Sequence, residues 1–522
     1  MEQNEIMTRQ MTEHCTHHSA SGIHSMAGIP LWMAISSLAI IIILSHLIIY
    51  RKHKKNKSTT YSRLTLSTPM IRRLFQKSWF PLLAQSFSLF LLLLITATGI
   101  YGNQRGNIST VLTWTWWWAL LIFIIVGFGK TFCLICPWEG LASLCTSLSF
   151  TSRIKKIGFS FKWPKWARNV YPALILFIVL TWIELGFGVT NSPSMTATLG
   201  LIMTGMVLFA AMVFEKRSFC RYACLIGRIS GIYALFSPLE LRVHSTKICA
   251  TCKGRACING SEKGTGCPLF LNPAKLKENT YCTLCTECIR TCPNENINMY
   301  FRKPAADLFH KSTFRWDESI MAVVLLALTS FHGMTMTPYW TRINDIIRAA
   351  TGLGKTSLFT LLMIILILLP FLIFFGGARV SRFLSKREKP STGEIFQAFA
   401  YALIPVALFY HLAHNGMHFF MEGHKLLPFL SDPFGFGWNL FGTAHTSFSP
   451  WLSLSTIWWL QTLFIIIGHV YGVVIADRIA GKIFDNPKTA FKSLIPLIIT
   501  MILYSGFSIW LISQPMEMRT GM

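Results

Sequence analysis

The feature that most limits how this chain can fold is a series of apolar runs, each long enough to cross a bilayer. A helix that spans the hydrocarbon core needs about 20 predominantly apolar residues, and ten runs of roughly that length occur in the 522 residues. Backbone groups left unpaired in lipid are costly, so the runs predict helices. The predicted spans are 30–50, 79–101, 110–130, 169–188, 196–214, 317–338, 356–378, 395–420, 452–476 and 492–513.

Charged residues are scarce, and the basic ones are concentrated in alternate loops. Only 13% of the residues are charged, against about 25% in an average soluble protein. The loops 51–78, 151–168, 379–390 and 477–492 carry 9, 6, 5 and 4 Lys and Arg, whereas loops 101–109, 189–195, 339–355 and 421–451 carry 1, 0, 3 and 1. This pattern predicts that the basic loops face the cytoplasm and both termini face outward. The net charge of +26 therefore orients the chain, and we expect no nucleic-acid binding.

The most specific motif lies in a polar insert between the fifth and sixth predicted spans. Cys282, Cys285, Cys288 and Cys292 follow the bacterial ferredoxin spacing C-x2-C-x2-C-x3-C-P, in which the fourth cysteine ligates the other cluster. A C-x2-C-x4-C set precedes it, and Cys267-Pro268 supplies the crossing ligand of that half. We therefore predict two [4Fe–4S] clusters, one on Cys249, Cys252, Cys257 and Cys292 and the other on Cys267, Cys282, Cys285 and Cys288.

A structural zinc site is the alternative for this insert, because zinc also takes four thiolates from paired C-x2-C units. The proline after each fourth cysteine and the crowding of four cysteines into 11 residues favour iron–sulfur clusters. Disulfides are disfavoured by the same spacing, since all eight cysteines fall within 44 residues.

These patterns predict an all-α polytopic membrane protein with an inserted ferredoxin-like α+β domain. No small-residue cleavage site follows the first apolar run, so we expect that run to be an uncleaved anchor. The predicted division is an outward-facing tail at 1–28, a five-helix membrane domain at 29–240, the cytoplasmic two-cluster domain at 241–305 and a second five-helix membrane domain at 306–522.

Two further cysteine pairs lie at the cytoplasmic ends of predicted spans. Cys133 and Cys136 follow the third span, and Cys220 and Cys224 follow the fifth, within the similar sequences FGKTFC and FEKRSFC. Such pairs could ligate a metal, form a redox disulfide, or share one further iron–sulfur cluster on a pseudo-symmetry axis. The alternative is packing, because free cysteine behaves as a small hydrophobe. Cys145 belongs to neither pair and is predicted to pack.

Together these motifs resemble the membrane ferredoxin-type proteins that accompany periplasmic nitrate and nitrous-oxide reductases, whose relatives include copper-handling assembly proteins of respiratory oxidases. The resemblance covers about residues 75–300. That family usually has C-x3-C-P pairs, whereas the first pair here has x2 spacing and Leu225 replaces the second proline. The resemblance implies electron transfer between the quinone pool, or a cytoplasmic donor protein, and a periplasmic or membrane acceptor. It also implies a respiratory complex in the bacterial inner membrane, and a quinol dehydrogenase-type oxidoreductase if quinol is the donor.

Histidines mark the second membrane domain. His411 and His414 lie on one face of the eighth predicted span, His332 lies in the sixth and His469 in the ninth. Intramembrane histidines are costly and usually functional, and paired histidines on neighbouring helices can hold haem b. At a rise of about 1.5 Å per residue, His332 lies level with His411 or His414, and His469 lies lower. We predict haem b or another metal here; interhelical hydrogen bonding is the alternative.

The tail at 1–28 carries soft ligands of the kind that suit Cu(I). They are Met7, Met11, His14, Cys15, His17, His18, His24 and Met26. The alternative is a tail with no ligand role.

Two functions therefore remain open from the sequence: a membrane-bound electron-transfer protein, and a copper reductase or assembly factor for a respiratory enzyme.

Overall fold

The computed structural model describes residues 25–50, 64–66, 69–77, 79–147, 159–215, 217–385, 390–484 and 486–517. Within these residues, ten long helices correspond one by one to the predicted spans. They are α1 (Leu31–Tyr50), α2 (Trp79–Tyr101), α3 (108–128), α4 (Tyr171–Gly186), α5 (Pro193–Val213), α6 (Trp316–Thr335), α7 (Lys355–Ser385), α8 (392–422), α9 (Leu454–Ile483) and α10 (Pro487–Ile512).

Nine helical segments in the described part of the chain are long and apolar enough to cross a membrane. The remaining helix, α4, has only 16 residues. It ends early because Gly188 adopts a left-handed φ of 63° and a short turn at Val189–Asn191 follows. The chain is therefore a multi-pass membrane protein, as the apolar runs predicted.

The helices differ in how deeply they are buried. Helix α8 is buried along nearly its whole length, where it packs against α3, α6 and α9. A helix that is apolar on all sides belongs in the centre of a bundle. Helix α2, in contrast, exposes Leu82, Leu83, Phe87 and Phe90 on the outer surface, which we assign to lipid. The central position of α8 matters because it carries the predicted histidine ligands.

The cysteine-rich insert is a small α+β unit. Strands β3 (Leu239–Val243) and β4 (Ile297–Phe301) pair antiparallel on either side of the cysteine loops, and β2 (Leu64–Thr65) adds a third strand to β4. Its short helices are Thr246–Thr251, Ala256–Asn259 and Glu287–Thr291, with a 3-10 turn at Pro273–Lys275. The insert therefore begins two residues before the predicted boundary at 241 and takes one strand from the loop between α1 and α2.

Buried charges join the insert to the membrane helices. Arg302 at the end of β4 contacts Glu240 at 2.9 Å, and both side chains are almost fully buried. Lys311 reaches Glu318 in α6 at 3.3 Å, and the hydroxyl of Tyr401 in α8 donates to the same carboxylate at 2.6 Å. Because a buried charge is stable only when it is paired, these contacts fix the position of the insert against α6 and α8.

The predicted basic loops and the insert meet at one end of the bundle. Arg72 contacts Glu295 of the insert, and Lys482 donates to the carbonyl of Lys311 at 2.8 Å. The two chain ends meet elsewhere, where β1 (Ser25–Met26) pairs antiparallel with β5 (Met516–Glu517). That the insert end faces the cytoplasm stays a prediction from the charge distribution. The copper prediction for the tail falls outside the described residues except at Met26.

Candidate metal centres

The second predicted cluster set surrounds one cavity. All four cysteines of the set line it together with leucines: Cys267, Cys282, Cys285, Cys288, Leu241, Leu269, Leu271 and Leu276. Burial, followed by the proximity of the other cysteines, raises the pKa of the Cys288 thiol well above its ordinary value. Such buried thiols ionise only beside a strong positive charge, such as that of a bound metal ion or metal cluster.

The first predicted set also assembles. Burial raises the pKa of Cys257 to about 11, and the next causes are the neighbouring Cys292, Cys249 and Cys252. The side-chain amide of Asn296 donates to Cys249 Sγ at 3.2 Å. Cys292 thus lies near the first set although it ends the second motif, and the crossed ligation of two clusters stays a prediction from the spacing.

The loops around both sets adopt a strained backbone at equivalent places. Phe270 and Glu295 each lie three residues after the cysteine of a Cys-Pro pair, and both have left-handed φ values, 54° and 48°. Leu284 and Thr286, on either side of Cys285, have φ values of 53° and 62°. Each such residue costs about 1–3 kcal/mol and persists where the surroundings determine the conformation, typically at functional sites. The repeated strain indicates that the loops after both Cys-Pro pairs turn in the same way.

The two membrane-end cysteine pairs come together around a third cavity. Cys133, Cys136, Cys220 and Cys224 all line it, so hairpins that are about 90 residues apart in the sequence share one space. The opposite wall includes Pro268, Leu269, Thr283 and Cys285 of the insert. We refer to these four cysteines as the membrane-end set.

Local structure explains how the membrane-end set is positioned. Gly129 ends α3 with a φ of 63°, and a Cβ there would lie 3.1 Å from the hydroxyl of Ser237, so the turn into Gly129–Leu134 favours glycine. Cys224 is the N-cap of the buried helix Leu225–Tyr233 and accepts the N–H of Gly227 at 3.3 Å. Arg217 and Glu139 form an ion pair at 2.5 Å that joins the two hairpins beside the cavity.

Two buried cations lie between the membrane-end set and the second cluster set. Lys130 is close enough to Cys133, Cys224 and Cys282 to interact electrostatically with all three. Arg228 donates to the carbonyl of Thr280 at 3.4 Å and lies 4.2 Å from the ring centre of Tyr281. Positive charge in this position stabilises nearby thiolates and any cluster that becomes more negative on reduction.

The predicted histidines of α6 and α8 form a buried row with Glu422. The rings of His332 and His414 are 4.7 Å apart between centroids, and those of His414 and His418 are 5.1 Å apart. His418 Nδ1 then lies 3.1 Å from Glu422. We call His332, His411, His414, His418 and Glu422 the histidine row. Because the rings of His332 and His414 are in contact, no space for a haem macrocycle separates them in this arrangement.

The remaining predicted histidine ligands are engaged in hydrogen bonds. His411 Nδ1 contacts the hydroxyl of Tyr233, and His411 Nε2 lies 2.8 Å from the hydroxyl of Thr329. His469 lies between Ser45 and Ser505, with one ring nitrogen 2.8 Å from each hydroxyl. The structure therefore brings His332 and His414 together, whereas His469 contacts Ser45 and Ser505.

Several residues of these sites had not been singled out from the sequence. Lys130 lies within the repeated FGKTFC segment, which was the available signal for it. Glu139 and Arg217 are recognisable only once the hairpins meet. Within the described residues, no three His, Cys, Asp or Glu side chains are close enough to hold a single metal ion. A fit to iron–sulfur clusters therefore depends on the grouping of four cysteines in each of the three sets.

Comparisons with known proteins give two distant relatives. The chain is 28% identical over 136 residues to the Escherichia coli protein named "Putative electron transport protein YccM", which covers 26% of this chain and 34% of the relative. It is 27% identical over 224 residues to "Uncharacterized protein MJ0749" of Methanocaldococcus jannaschii, which covers 40% of this chain and 81% of that protein. The chain thus matches about a third of the length of YccM. No protein-family model matches the chain, and no solved structure does.

Proposed function

We propose that this chain is a membrane electron-transfer protein that holds two [4Fe–4S] clusters in its insert. The observation that carries the proposal is the grouping of eight cysteines into two sets of four, with Cys267 and Cys292 crossing between them. A structural zinc site would not require that exchange of the fourth ligand between two neighbouring motifs. The name of the relative YccM, an electron transport protein, supports the same class of function.

The residues around each set would hold and tune such clusters. When bound, a [4Fe–4S] cluster supplies one-electron chemistry at a potential that hydrogen bonds and burial adjust. The N–H of Leu271 donates to Cys267 Sγ at 3.3 Å, and Asn296 donates to Cys249 Sγ at 3.2 Å. These donors favour the more negative, reduced state. The leucine lining around the second set excludes water from it.

The two sets lie side by side, which suits transfer along the insert. Cys257 of the first set is close enough to Cys288 of the second to affect its charge. We propose that electrons pass through the insert between a cytoplasmic donor protein or the quinone pool and a membrane or periplasmic acceptor, in a bacterial inner membrane. Partner proteins of a respiratory complex would dock on the insert. The copper-handling alternative depends on tail residues outside the described part of the chain.

Anaerobic purification of the full chain tests the proposal. We expect at least about eight iron atoms and eight acid-labile sulfides per chain, and EPR signals that appear on reduction. Cys288→Ala should remove the signal of one insert cluster, whereas Cys145→Ala, outside all three cysteine sets, should leave the iron content unchanged. A protein that contains stoichiometric zinc and no iron or sulfide would contradict the proposal.

A further inference from the structure

We infer that the membrane-end set holds a third iron–sulfur cluster, ligated by four thiolates and shared by the two hairpins. The binding of this cluster stands on its own geometry, whereas its role as a redox neighbour of the insert rests on the proposed function. The first observation is convergence: Cys133 and Cys136 come from the end of α3, Cys220 and Cys224 from the segment after α5, and all four line the same cavity.

The surroundings of this cavity favour a cluster over simple packing. The four cysteines come from two separate hairpins and line one cavity between those hairpins and the insert, and simple packing of small hydrophobes gives no reason for four thiols to converge there. The one acidic residue that lines it, Glu139, is already paired with Arg217 at 2.5 Å. With Cys285 assigned to the second insert set, the other four cysteines are the donors for a metal group among the described lining residues, and four thiolates are the usual ligands of an iron–sulfur cluster.

The position of the cavity connects it to the second insert set. Thr283 and Cys285 belong to the loop that carries the second set, and they form part of the wall around the membrane-end set. The backbone N–H of Arg217, beside the second hairpin, donates to the carbonyl of Pro268 after Cys267 at 3.4 Å. A cluster in this cavity would thus be a direct neighbour of the second insert cluster. One electron would leave the reduced insert cluster and enter the oxidised membrane-end cluster, with no bond made or broken.

Lys130 strengthens the assignment because it faces both sites. It interacts electrostatically with Cys133 and Cys224 on one side and Cys282 on the other. Its ammonium group lies 3.5 Å from the carbonyl of Thr280, inside the protein, and the side chain is almost fully buried. An isolated buried ammonium is costly, so its position is best explained by negative charge from thiolate-bound clusters on either side.

The test uses the full chain, purified anaerobically, and compares Cys220→Ser/Cys224→Ser with Cys145→Ser. We expect the double variant to lose between about a fifth and a third of the iron, according to whether the cluster has two or four irons. It should also lose one EPR signal and keep the signals of the insert. Cys133→Ser/Cys136→Ser should lose the same signal, because both pairs bind one group.

The retained insert signals show that the variants are folded, so loss of iron cannot be mistaken for misfolding. Unchanged iron and spectra in both double variants would overturn the inference, as would zinc in place of the missing iron or a disulfide detected within either pair by thiol labelling. The inference is separable from the proposed function. A wild-type protein whose only iron disappears in the Cys220/Cys224 variant would support the third cluster and contradict the two insert clusters.

Discussion

The cysteine sets and the histidine row are both polar groups in apolar surroundings, but they are built differently. The cysteines lie on loops and helix ends, several beside left-handed backbone, and they surround empty cavities. Most of the histidine row lies on one regular helix, α8, where each ring contacts a neighbouring ring, hydroxyl or carboxylate. The proposal that the cysteine sets bind clusters therefore rests on donors that line open space, whereas the histidine row offers donors that are already in contact with neighbouring side chains.

The largest expected effect tests the cysteine side of this comparison. Combining Cys285→Ala with Cys288→Ala should abolish the second insert cluster, because half of its thiolate ligands are removed. Iron analysis and EPR should show the loss of one four-iron group per chain. The matched control, His332→Leu with His414→Leu, should keep all of the iron. Equal iron loss in the two double variants would show that the cysteine sets and the histidine row do not differ in metal binding.

The contribution of buried charges to the stability of the insert can be tested at Arg302. Arg302→Met removes a cation that contacts both Glu240 and Asp307 and leaves these two buried carboxylates with the more distant Arg242, which should destabilise the protein by about 3–5 kcal/mol. Limited proteolysis within 239–301 and thermal unfolding would report the change. Arg72→Met is the control, since Glu295 is largely exposed and a surface pair contributes only about 0–1 kcal/mol. Similar stability in the two variants would mean that the insert is not held by its buried charges.

Lys130 allows the electrostatics of the cysteine sets to be measured. Lys130→Met should lower the midpoint potentials of the neighbouring clusters by several tens of millivolts, because the cation favours the reduced state. A change of about 1.4 kcal/mol corresponds to about 59 mV for one electron. Redox titration followed by EPR is the measurement. Lys355→Met removes the same charge at the exposed start of α7 and should leave the potentials unchanged.

The smallest expected effect concerns the histidine row. His411→Phe removes the partner of the buried Tyr233 hydroxyl and should cost about 1–2 kcal/mol of stability, with iron content and the optical spectrum unchanged. His469→Phe should cost less, since Ser45 keeps its bond to the carbonyl of Ile41 at 2.7 Å. A haem absorption band that either substitution removed would show that the row holds a cofactor after all.

Helix positions were predictable because apolar length reports spans directly. The ends and irregularities of the helices were less predictable, because a 3-10 turn at Ala400–Ala402 interrupts α8 and Gly188 shortens α4. The spacing of the insert cysteines predicted their two sets, including the crossing of Cys292. These features depend on residues near one another in the sequence, where local spacing carries the information.

Contacts between distant segments were not predictable. Whether Cys133 meets Cys220 depends on how two hairpins pack, which no local pattern records. The rise per residue correctly placed His332 level with His414, but the bonds of His469 to Ser45 and Ser505 join three separate helices. Strand β2 could not be predicted from the sequence, because its two residues lie in a basic loop and are too few to show a hydrophobic periodicity.

Strand β2 has a consequence for how the protein is assembled during synthesis. Leu64 pairs with Phe301, so strand β2 is synthesised more than 230 residues before its partner strand β4. Until then its backbone donors and acceptors are open to other strands. The cysteine loops emerge during that interval. The sheet of the insert would therefore close only after the cysteine loops have been synthesised. The proposed clusters could be inserted during that interval.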